Sequence, residues 1–210
     1  MTHISELARA ALSGDTSTLI QNSYRDFHAK GLDYVCLKRT PDHTVKVYFL
    51  DGDVSKVPEV VNPHDHRYAF ETTVLSGEML DHRFLRCRSG AFIGEKVYQA
   101  FDYRTPLNGG DGFTFRGEEC LVQGPSTHLV VGRKLHTQGT SLHTIQMLRD
   151  QTVLVLEQFE DYLPVDQPTS CWVAKGHPAP DTSGLYERFT EGQFRDRLIR
   201  ICQLSERLKC

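Results

Sequence analysis

Residues 63–78 read PHDHRYAFETTVLSGE, a β-rich run that begins with two histidines one residue apart and ends at a Ser-Gly turn. Side chains alternate between the two faces of a β-strand, so His64 and His66 point to the same side. Two imidazoles on one side can begin a metal site. A transition metal with nitrogen ligands needs a third or fourth ligand from elsewhere in the chain.

Short strand-like runs separated by turn residues fill the chain around this stretch. They cover residues 44–50 and roughly 66–75, 79–87, 92–103, 112–115, 119–123, 127–136, 142–148, 152–159 and 169–175. Turn pairs such as Ser76-Gly77 and Arg116-Gly117 separate them at intervals of about 8–12 residues. This spacing is typical of a sandwich or a barrel, so we expect an all-β core.

Helical spacing of apolar residues is found only near the two ends of the chain. One helix is predicted from residue 2 to Ala11, and a second from about residue 16 to Gly31, with Tyr24 and Phe27 on its apolar face. Thr190 can cap a last helix whose apolar residues form one stripe. That stripe consists of Phe194, Leu198, Ile201 and Leu204.

The length of 210 residues favours one domain with additions. We divide the chain into an N-terminal helical segment (1–33), a β-barrel (34–175) and a C-terminal loop and helix (176–210). The formal charge of −3 and the absence of long like-charge runs argue against a nucleic-acid partner. No apolar run approaches the roughly 20 residues of a membrane span, so no membrane partner is expected.

The cysteines and the N-terminus bear on the cellular compartment. The six cysteines are scattered without a C-x-x-C pair, which favours reduced thiols over a zinc knuckle or a redox dithiol. Met1-Thr2-His3-Ile4-Ser5-Glu6 has no basic stretch leading into an apolar one, as a secretory signal would have. We therefore expect a cytoplasmic protein.

His143 is the candidate third ligand, because it follows the turn glycine Gly139 at the start of another strand-like run. With this residue the pattern resembles the cupin superfamily. The first cupin motif is H-x-H, three or four residues, Glu, about six residues and Gly; the second is a glycine turn followed by a histidine on a strand. The resemblance spans about residues 34–160.

The match to the cupin motifs is incomplete in both halves. His64, His66, Glu71 and Gly77 match the first motif with one residue missing before the glycine. Gly139 and His143 match the second motif without its proline and asparagine.

Cupins are double-stranded β-helices, small jelly-roll barrels that hold a divalent metal inside. The resemblance thus implies an all-β jelly roll with N- and C-terminal helices and a metal held by His64, His66 and His143. One cupin branch, the thiol dioxygenases of cysteine dioxygenase type, resembles this stretch in its Pro-His-Asp-His start and its short path to the glycine. That branch binds iron with three histidines and no carboxylate.

Glu71 is a fourth candidate ligand, since some cupins have glutamate at this spacing. On a regular strand, Tyr68 and Phe70 would face inward with the histidines, and Glu71 would face outward with Thr73. A β-bulge would be needed to bring Glu71 inward. Both arrangements are compatible with the sequence.

Two further residues are candidates for a catalytic role. His82 is expected to share a face with Leu80 and Phe84 and to point into the barrel, as a ligand, a proton relay or a satisfied core histidine. Arg39 lies about 25 residues before His64, and cysteine dioxygenases carry a substrate-carboxylate arginine at a comparable distance upstream. Lys38 is an equal alternative, and either cation could simply be solvated.

Missing motifs narrow the chemistry of this site. The chain has no H-x-D/E pair, no H-E-x-x-H, no G-x-S-x-G and no G-x-x-x-x-G-K-[ST]. Protease, serine-hydrolase and nucleotide-driven chemistries are therefore disfavoured. The resemblance to the thiol-dioxygenase branch implies an Fe(II) oxygenase of dioxygenase type, which we expect to act on a small anionic organic substrate with O₂. Three imidazoles are also compatible with Ni, Mn, Zn or Cu.

Two alternatives to the oxygenase are retained. In a cupin isomerase, lyase or decarboxylase the metal would act as a Lewis acid, with Glu71 or His82 moving the proton. In a binding cupin without catalysis the histidines would be structural. Cupins often dimerise, so the resemblance is also compatible with a homodimer.

Overall fold

The computed structural model describes residues 2–52, 62–106, 109–164, 166–181 and 183–208. The helices of this part are α1 (Thr2–Ser13), α2 (Ser17–Gln21) and α3 (Glu191–Arg207). Its strands are β1 (Leu32–Arg39), β2 (Thr44–Leu50), β3 (Tyr68–Ser76), β4 (Glu78–Cys87), β5 (Lys96–Arg104), β6 (Gly112–Val130), β7 (Lys134–Thr137), β8 (Leu142–Met147), β9 (Thr152–Asp161) and β10 (Thr169–Ala174).

The strands form two five-stranded sheets, with orders β1-β2-β9-β3-β7 and β10-β5-β6-β4-β8. The strand pairs are antiparallel, and from β6 onward the chain passes from one sheet to the other at every connection. This is the double-stranded β-helix, or jelly roll. The predicted all-β fold with helices near both termini is confirmed.

A short segment, residues 63–65, joins the two ends of the second sheet, and we call it the closing segment. His64 forms isolated bridges to His143 on β8 and to Cys171 on β10. The His64 amide donates to the His143 carbonyl at 3.0 Å, and the Trp172 amide donates to the Pro63 carbonyl at 2.8 Å. The second sheet is therefore closed through the residue that begins the histidine motif.

The outer face of the first sheet is covered by α1 and α3. Val35, Val47 and Val155 pack there against helix residues such as Phe194 and Leu198 in one buried cluster. The predicted stripe on α3 is buried as expected, and Thr190 caps this helix in a capping box with Gln193. Because the helices cover one face, residues of alternate parity on β1, β2 and β9 face the barrel interior.

The second predicted helix is much shorter than the sequence indicated. It ends at Gln21, and Tyr24 forms a bridge with Tyr34 instead of continuing a helix. Asp26 and His28 have positive φ angles of 50° and 64°, which no helix contains. Tyr24 and Phe27 stack with Tyr34 in an aromatic group, so tertiary packing outweighs the helical spacing.

The strand β6 is one long strand where three short ones were expected. The sequence pair Arg116-Gly117 predicted a turn, but Gly117 lies within the β5–β6 ladder, where the register shifts between Ala100 and Phe101. A glycine inside a strand often marks a bulge of this kind, and here its φ is 146°.

Among the described residues no helix is long and apolar enough to cross a membrane.

Candidate metal centre

Three imidazoles meet inside the barrel. One nitrogen from each of His64, His66 and His143 lies within 4.8 Å of the other two. The Nε2 atoms of His66 and His143 are 3.0 Å apart. Two nitrogens that ligate one ion at about 2.1 Å each, with that separation, would subtend an angle of about 90° at the ion. The donor set and its spacing fit a divalent transition metal.

Backbone hydrogen bonds position the three histidines. The His143 amide donates to the His64 carbonyl at 3.1 Å, which complements the reverse bond in the closing segment. The His66 amide donates to the Gly139 carbonyl at 2.8 Å. The Tyr162 hydroxyl donates to the His66 carbonyl at 2.7 Å. The ligands from two distant parts of the chain are thus held by their main chains as well as by side-chain packing.

The tautomers of two of the histidines follow from their hydrogen bonds. His64 Nδ1 lies 2.7 Å from the Asn62 carbonyl oxygen, which can only accept, so Nδ1 carries the proton. His143 Nδ1 lies 2.7 Å from Asp81 Oδ2, and an ionised carboxylate also only accepts. In both residues Nε2 is left with a free lone pair, as a metal ligand requires.

Asp81 is a positioning residue that the sequence analysis did not find. It is 2 % exposed, and its second carboxylate oxygen lies 2.6 Å from Arg83 Nε. Arg83 in turn donates from Nη2 to Thr137 Oγ1 at 2.8 Å. A carboxylate that is itself held fixes the ring orientation of its histidine and makes that histidine a stronger ligand.

Burial keeps the imidazoles in the form that binds metal. Removal from water, together with the neighbouring His143, lowers the pKa of His64 to about 3. Burial also lowers the pKa of His66 well below 6.5, together with His64, His143 and Lys46 nearby. At neutral pH both rings are therefore uncharged, and a proton does not compete for their nitrogens.

Glu71 lies apart from the three histidines. Its carboxylate pairs with Lys134, and Glu71 sits opposite Glu157 on β9, on the face away from Phe70 and Thr72. A register shift does occur in β3 between Tyr68 and Phe70, but it precedes Glu71 and leaves it outward. The structure thus has the regular-strand arrangement, and Glu71 is not in the metal-binding group.

His82 also lies outside this group, on the opposite face of β4 from Asp81. It does share a face with Leu80 and Phe84, but that face points away from the three histidines. His82 is 7 % exposed and hydrogen-bonded to Ser126 Oγ at 2.6 Å, Gln146 Oε1 at 2.8 Å and Gln123 Nε2 at 3.1 Å. The expectation that it points into the metal-binding barrel is wrong.

The reason for this error is that the second sheet also has buried apolar side chains on the face that points away from the triad. On the side of His82, an apolar cluster forms from Phe84, Tyr98, Ala100, Leu121, Leu142 and Trp172. Apolar neighbours therefore did not distinguish the face that carries the metal site from the face that packs in this cluster.

Arg39 and Lys38 take different faces of β1. A bulge between Cys36 and Lys38 shifts the register, and Arg39 Nη2 donates to the Tyr34 hydroxyl at 3.1 Å. Lys38 Nζ instead lies 3.2 Å from His43 Nδ1. Of the two alternative cations, Arg39 is the one on the side of the barrel interior.

An aromatic wall and a cleft complete the site. The ring centroid of Phe70 lies 4.7 Å from that of His66 and 5.6 Å from that of His143. A cleft of about 730 Å³ reaches His66 from outside, with Asp65, Arg83 and Tyr162 among its lining residues. The arrangement offers access for a small molecule on one side of His66 and an apolar surface on another.

No protein-family model and no curated protein matches the chain. Several solved structures match it at low sequence identity. An uncharacterized conserved protein with a double-stranded β-helix domain from Klebsiella pneumoniae subsp. pneumoniae MGH 78578 is 15 % identical, with a TM-score of 0.39 over 74 % of this chain and 95 % of its own.

An RmlC-like cupin from Shewanella frigidimarina NCIMB 400 is 12 % identical, with a TM-score of 0.35 over 63 % of this chain and 78 % of its own. The hydroxypropylphosphonic acid epoxidase from S. wedmorenis is 13 % identical, with a TM-score of 0.39 over 66 % and 56 %. Similarity this low gives no information on activity, which has to be inferred from the site itself.

Proposed function

We propose that the chain is a cupin metalloenzyme in which His64, His66 and His143 bind Fe(II) and which oxidises a small anionic organic substrate with O₂. The observation that carries the proposal is the ligand set: three neutral imidazoles, with no carboxylate among the described residues of the group. Bound Fe(II) would activate O₂, the organic substrate would be the net source of the electrons that reduce it, and three protein ligands would leave coordination positions for small molecules.

The residues around the triad have roles that fit this chemistry. Asp81 holds the His143 ring with Nε2 turned inward. Phe70 packs against two of the ligand rings and keeps water from that side. Lys46 and Arg39 place positive charge on the interior side of the first sheet, which favours an anionic substrate over a neutral one.

The alternative is Lewis-acid chemistry without O₂, as in an isomerase, lyase or decarboxylase. Glu71 and His82, the proton carriers expected for it, face away from the triad. Tyr68 is a different candidate, because its hydroxyl accepts a hydrogen bond from Lys46 Nζ at 3.2 Å and its ring centroid lies 5.3 Å from that of His66.

The decisive experiment is to purify the protein without oxygen, identify its metal, and follow an oxygen electrode while presenting small thiols, amino acids and hydroxy acids. We expect O₂ uptake that requires both Fe(II) and one of these anions. His64→Ala should abolish uptake and metal content, whereas His136→Ala removes an exposed histidine on β7 and should change neither.

Two results would overturn the oxygenase. Turnover at an equal rate with and without O₂, or full activity with zinc alone, would favour Lewis-acid chemistry through the same triad. A protein that retains metal but turns over none of these compounds under either condition would favour a binding role.

A further inference from the structure

Lys46 is a buried lysine on the interior side of the first sheet. It is 6 % exposed, although lysine is seldom fully buried without a charged partner. On β2 it pairs across the ladder with Cys36 on one side and Leu156 on the other. Its neighbours Val45 and Val47 belong to the cluster under the helices, so Lys46 points the opposite way, into the barrel.

The partners of the Lys46 ammonium are neutral. Nζ donates to the Tyr68 hydroxyl at 3.2 Å and lies 4.8 Å from the Tyr68 ring centroid and 5.7 Å from that of Tyr34. Within the described ranges no carboxylate lies at ion-pair distance from Lys46. An ammonium has three N–H donors, so two of them have no hydrogen-bond partner among the described residues.

Arg39 adds a second cation on the same side of the sheet. Its guanidinium donates to the Tyr34 hydroxyl at 3.1 Å and, in the part of the chain the structure covers, it pairs with no carboxylate. Two exposed lysines are, in contrast, paired with carboxylates: Lys134 pairs with Glu71, and Lys175 pairs with Glu118 at 3.0 Å. Among the described residues, Lys46 and Arg39 thus have no carboxylate partner on the interior side of this sheet.

A buried positive charge has an unfavourable free energy unless an anion binds next to it. Moving an ammonium out of water without an opposite charge is unfavourable, and aromatic faces offset only part of that cost. A bound carboxylate would satisfy the free donors of Lys46 and, through a forked hydrogen bond, the guanidinium of Arg39. The surrounding rings of Tyr34, Tyr48 and Phe27 suit a small apolar body attached to that carboxylate.

We propose that Lys46, assisted by Arg39 and Tyr68, forms a subsite for the carboxylate of a small organic acid next to the histidine triad. The identification of this acid as the substrate rests on the proposed function, whereas the subsite itself does not. Tyr68 links the two places, since its hydroxyl contacts Lys46 and its ring lies against the ring of His66.

The test measures binding to the metal-free protein, so that neither iron nor turnover is involved. Propionate is the probe, propionamide is its uncharged control, and affinities are taken from chemical-shift changes in NMR titrations. We expect wild type to bind propionate and not propionamide. Lys46→Met should weaken propionate binding at least tenfold, and Lys46→Arg should restore most of it.

Lys38→Met is the matched control, because it removes a lysine of β1 whose Nζ contacts His43 instead of the interior. Its affinity for propionate should stay within twofold of wild type. Equal binding of propionate and propionamide to wild type would overturn the subsite, and this comparison needs no variant to fold. Undiminished propionate binding by folded Lys46→Met would overturn it as well.

The subsite and the proposed function can fail separately. Lys46-dependent propionate binding in a protein that never consumes O₂ would uphold the subsite and contradict the oxygenase. O₂ consumption that is unaffected by Lys46→Met would uphold the oxygenase and contradict the identification of the bound acid as its substrate.

Discussion

Asp81 Oδ2 lies 2.7 Å from His143 Nδ1, a contact between neighbouring strands β4 and β8 that decides which nitrogen of His143 faces the other two imidazoles. A carboxylate can only accept this hydrogen bond. It therefore keeps the proton on Nδ1 and the lone pair on Nε2.

Asp81→Asn should lower the metal affinity about 10- to 100-fold, the usual cost of losing a partner that orients a ligand. The asparagine amide can donate to Nδ1 and so stabilise the tautomer whose Nε2 is protonated. Competition with a chromophoric chelator measures the affinity, and circular dichroism confirms that the variant is folded. An affinity equal to that of wild type would show that the tautomer of His143 is fixed by something other than Asp81.

Glu71→Gln should leave the metal content unchanged, since the Glu71 side chain pairs with Lys134 on the outward face. Loss of this partly exposed ion pair should cost at most about 1 kcal/mol of unfolding free energy. Elemental analysis and urea denaturation provide the two measurements. Loss of bound metal in this variant would make Glu71 a fourth ligand.

His82→Ala should destabilise the protein without releasing metal. The buried ring has polar partners in Ser126, Gln146 and Gln123, and removing it leaves them without these bonds. We expect a loss of about 1–3 kcal/mol in urea denaturation. His128→Ala, an exposed histidine on β6, is the control and should change neither stability nor metal content. Metal loss in His82→Ala alone would restore His82 to the site.

The different outcomes for these residues show what the sequence could predict. The period of two on a strand predicted that His64 and His66 share a side, and their imidazoles do lie together, although both residues precede β3 and His64 forms only isolated bridges. It also gave the outward position of Glu71 as one of two alternatives. For β4 the same period was applied to the wrong face, because Leu80 and Phe84 are apolar on the side that packs in a second cluster.

The long-range features of the site were beyond the sequence. Asp81 was visible only as a polar residue beside His82, and its role depends on the pairing of β4 with β8. Nothing in the local sequence distinguishes Lys46 from a solvated strand lysine. It is buried because the helices cover the face of Val45 and Val47, which leaves Lys46 on the face toward the barrel interior. Neither pairing nor coverage can be read from local spacing.

The stability of the metal-free protein should fall as the pH is lowered from 6.5 toward 3. Burial lowers the pKa of His64 to about 3 from an ordinary value of 6.5, so in this range the unfolded chain binds more protons than the folded one. His66 shifts in the same direction. Urea denaturation at pH 5 and pH 7 measures the slope.

The control for this pH dependence is His64→Asn, which lacks one of the titrating groups. Its unfolding free energy should depend less steeply on pH between 5 and 7 than that of metal-free wild type. The same slope in both proteins would mean that acid destabilisation comes from carboxylates elsewhere.

Lys46→Met should raise the unfolding free energy of the ligand-free protein by on the order of 1 kcal/mol. The substitution replaces a buried ammonium without a carboxylate partner by an apolar chain of similar length. Thermal denaturation in the absence of organic acids measures the change, with Lys38→Met for comparison. A clear decrease in stability would show that the tyrosine contacts fully compensate the charge.

The reciprocal backbone bonds between His64 and His143 make the closing segment part of both the sheet and the metal centre. A bound ion would join residues 77 positions apart, such as His66 and His143, at the place where the second sheet closes. Amide hydrogen exchange at His64, His143 and Trp172 should then slow on metal binding more than at any amide of α1. An ion bound there would stabilise the closure of the barrel. Its loss would weaken the contacts of the closing segment with β8 and β10 before the rest of the fold responds.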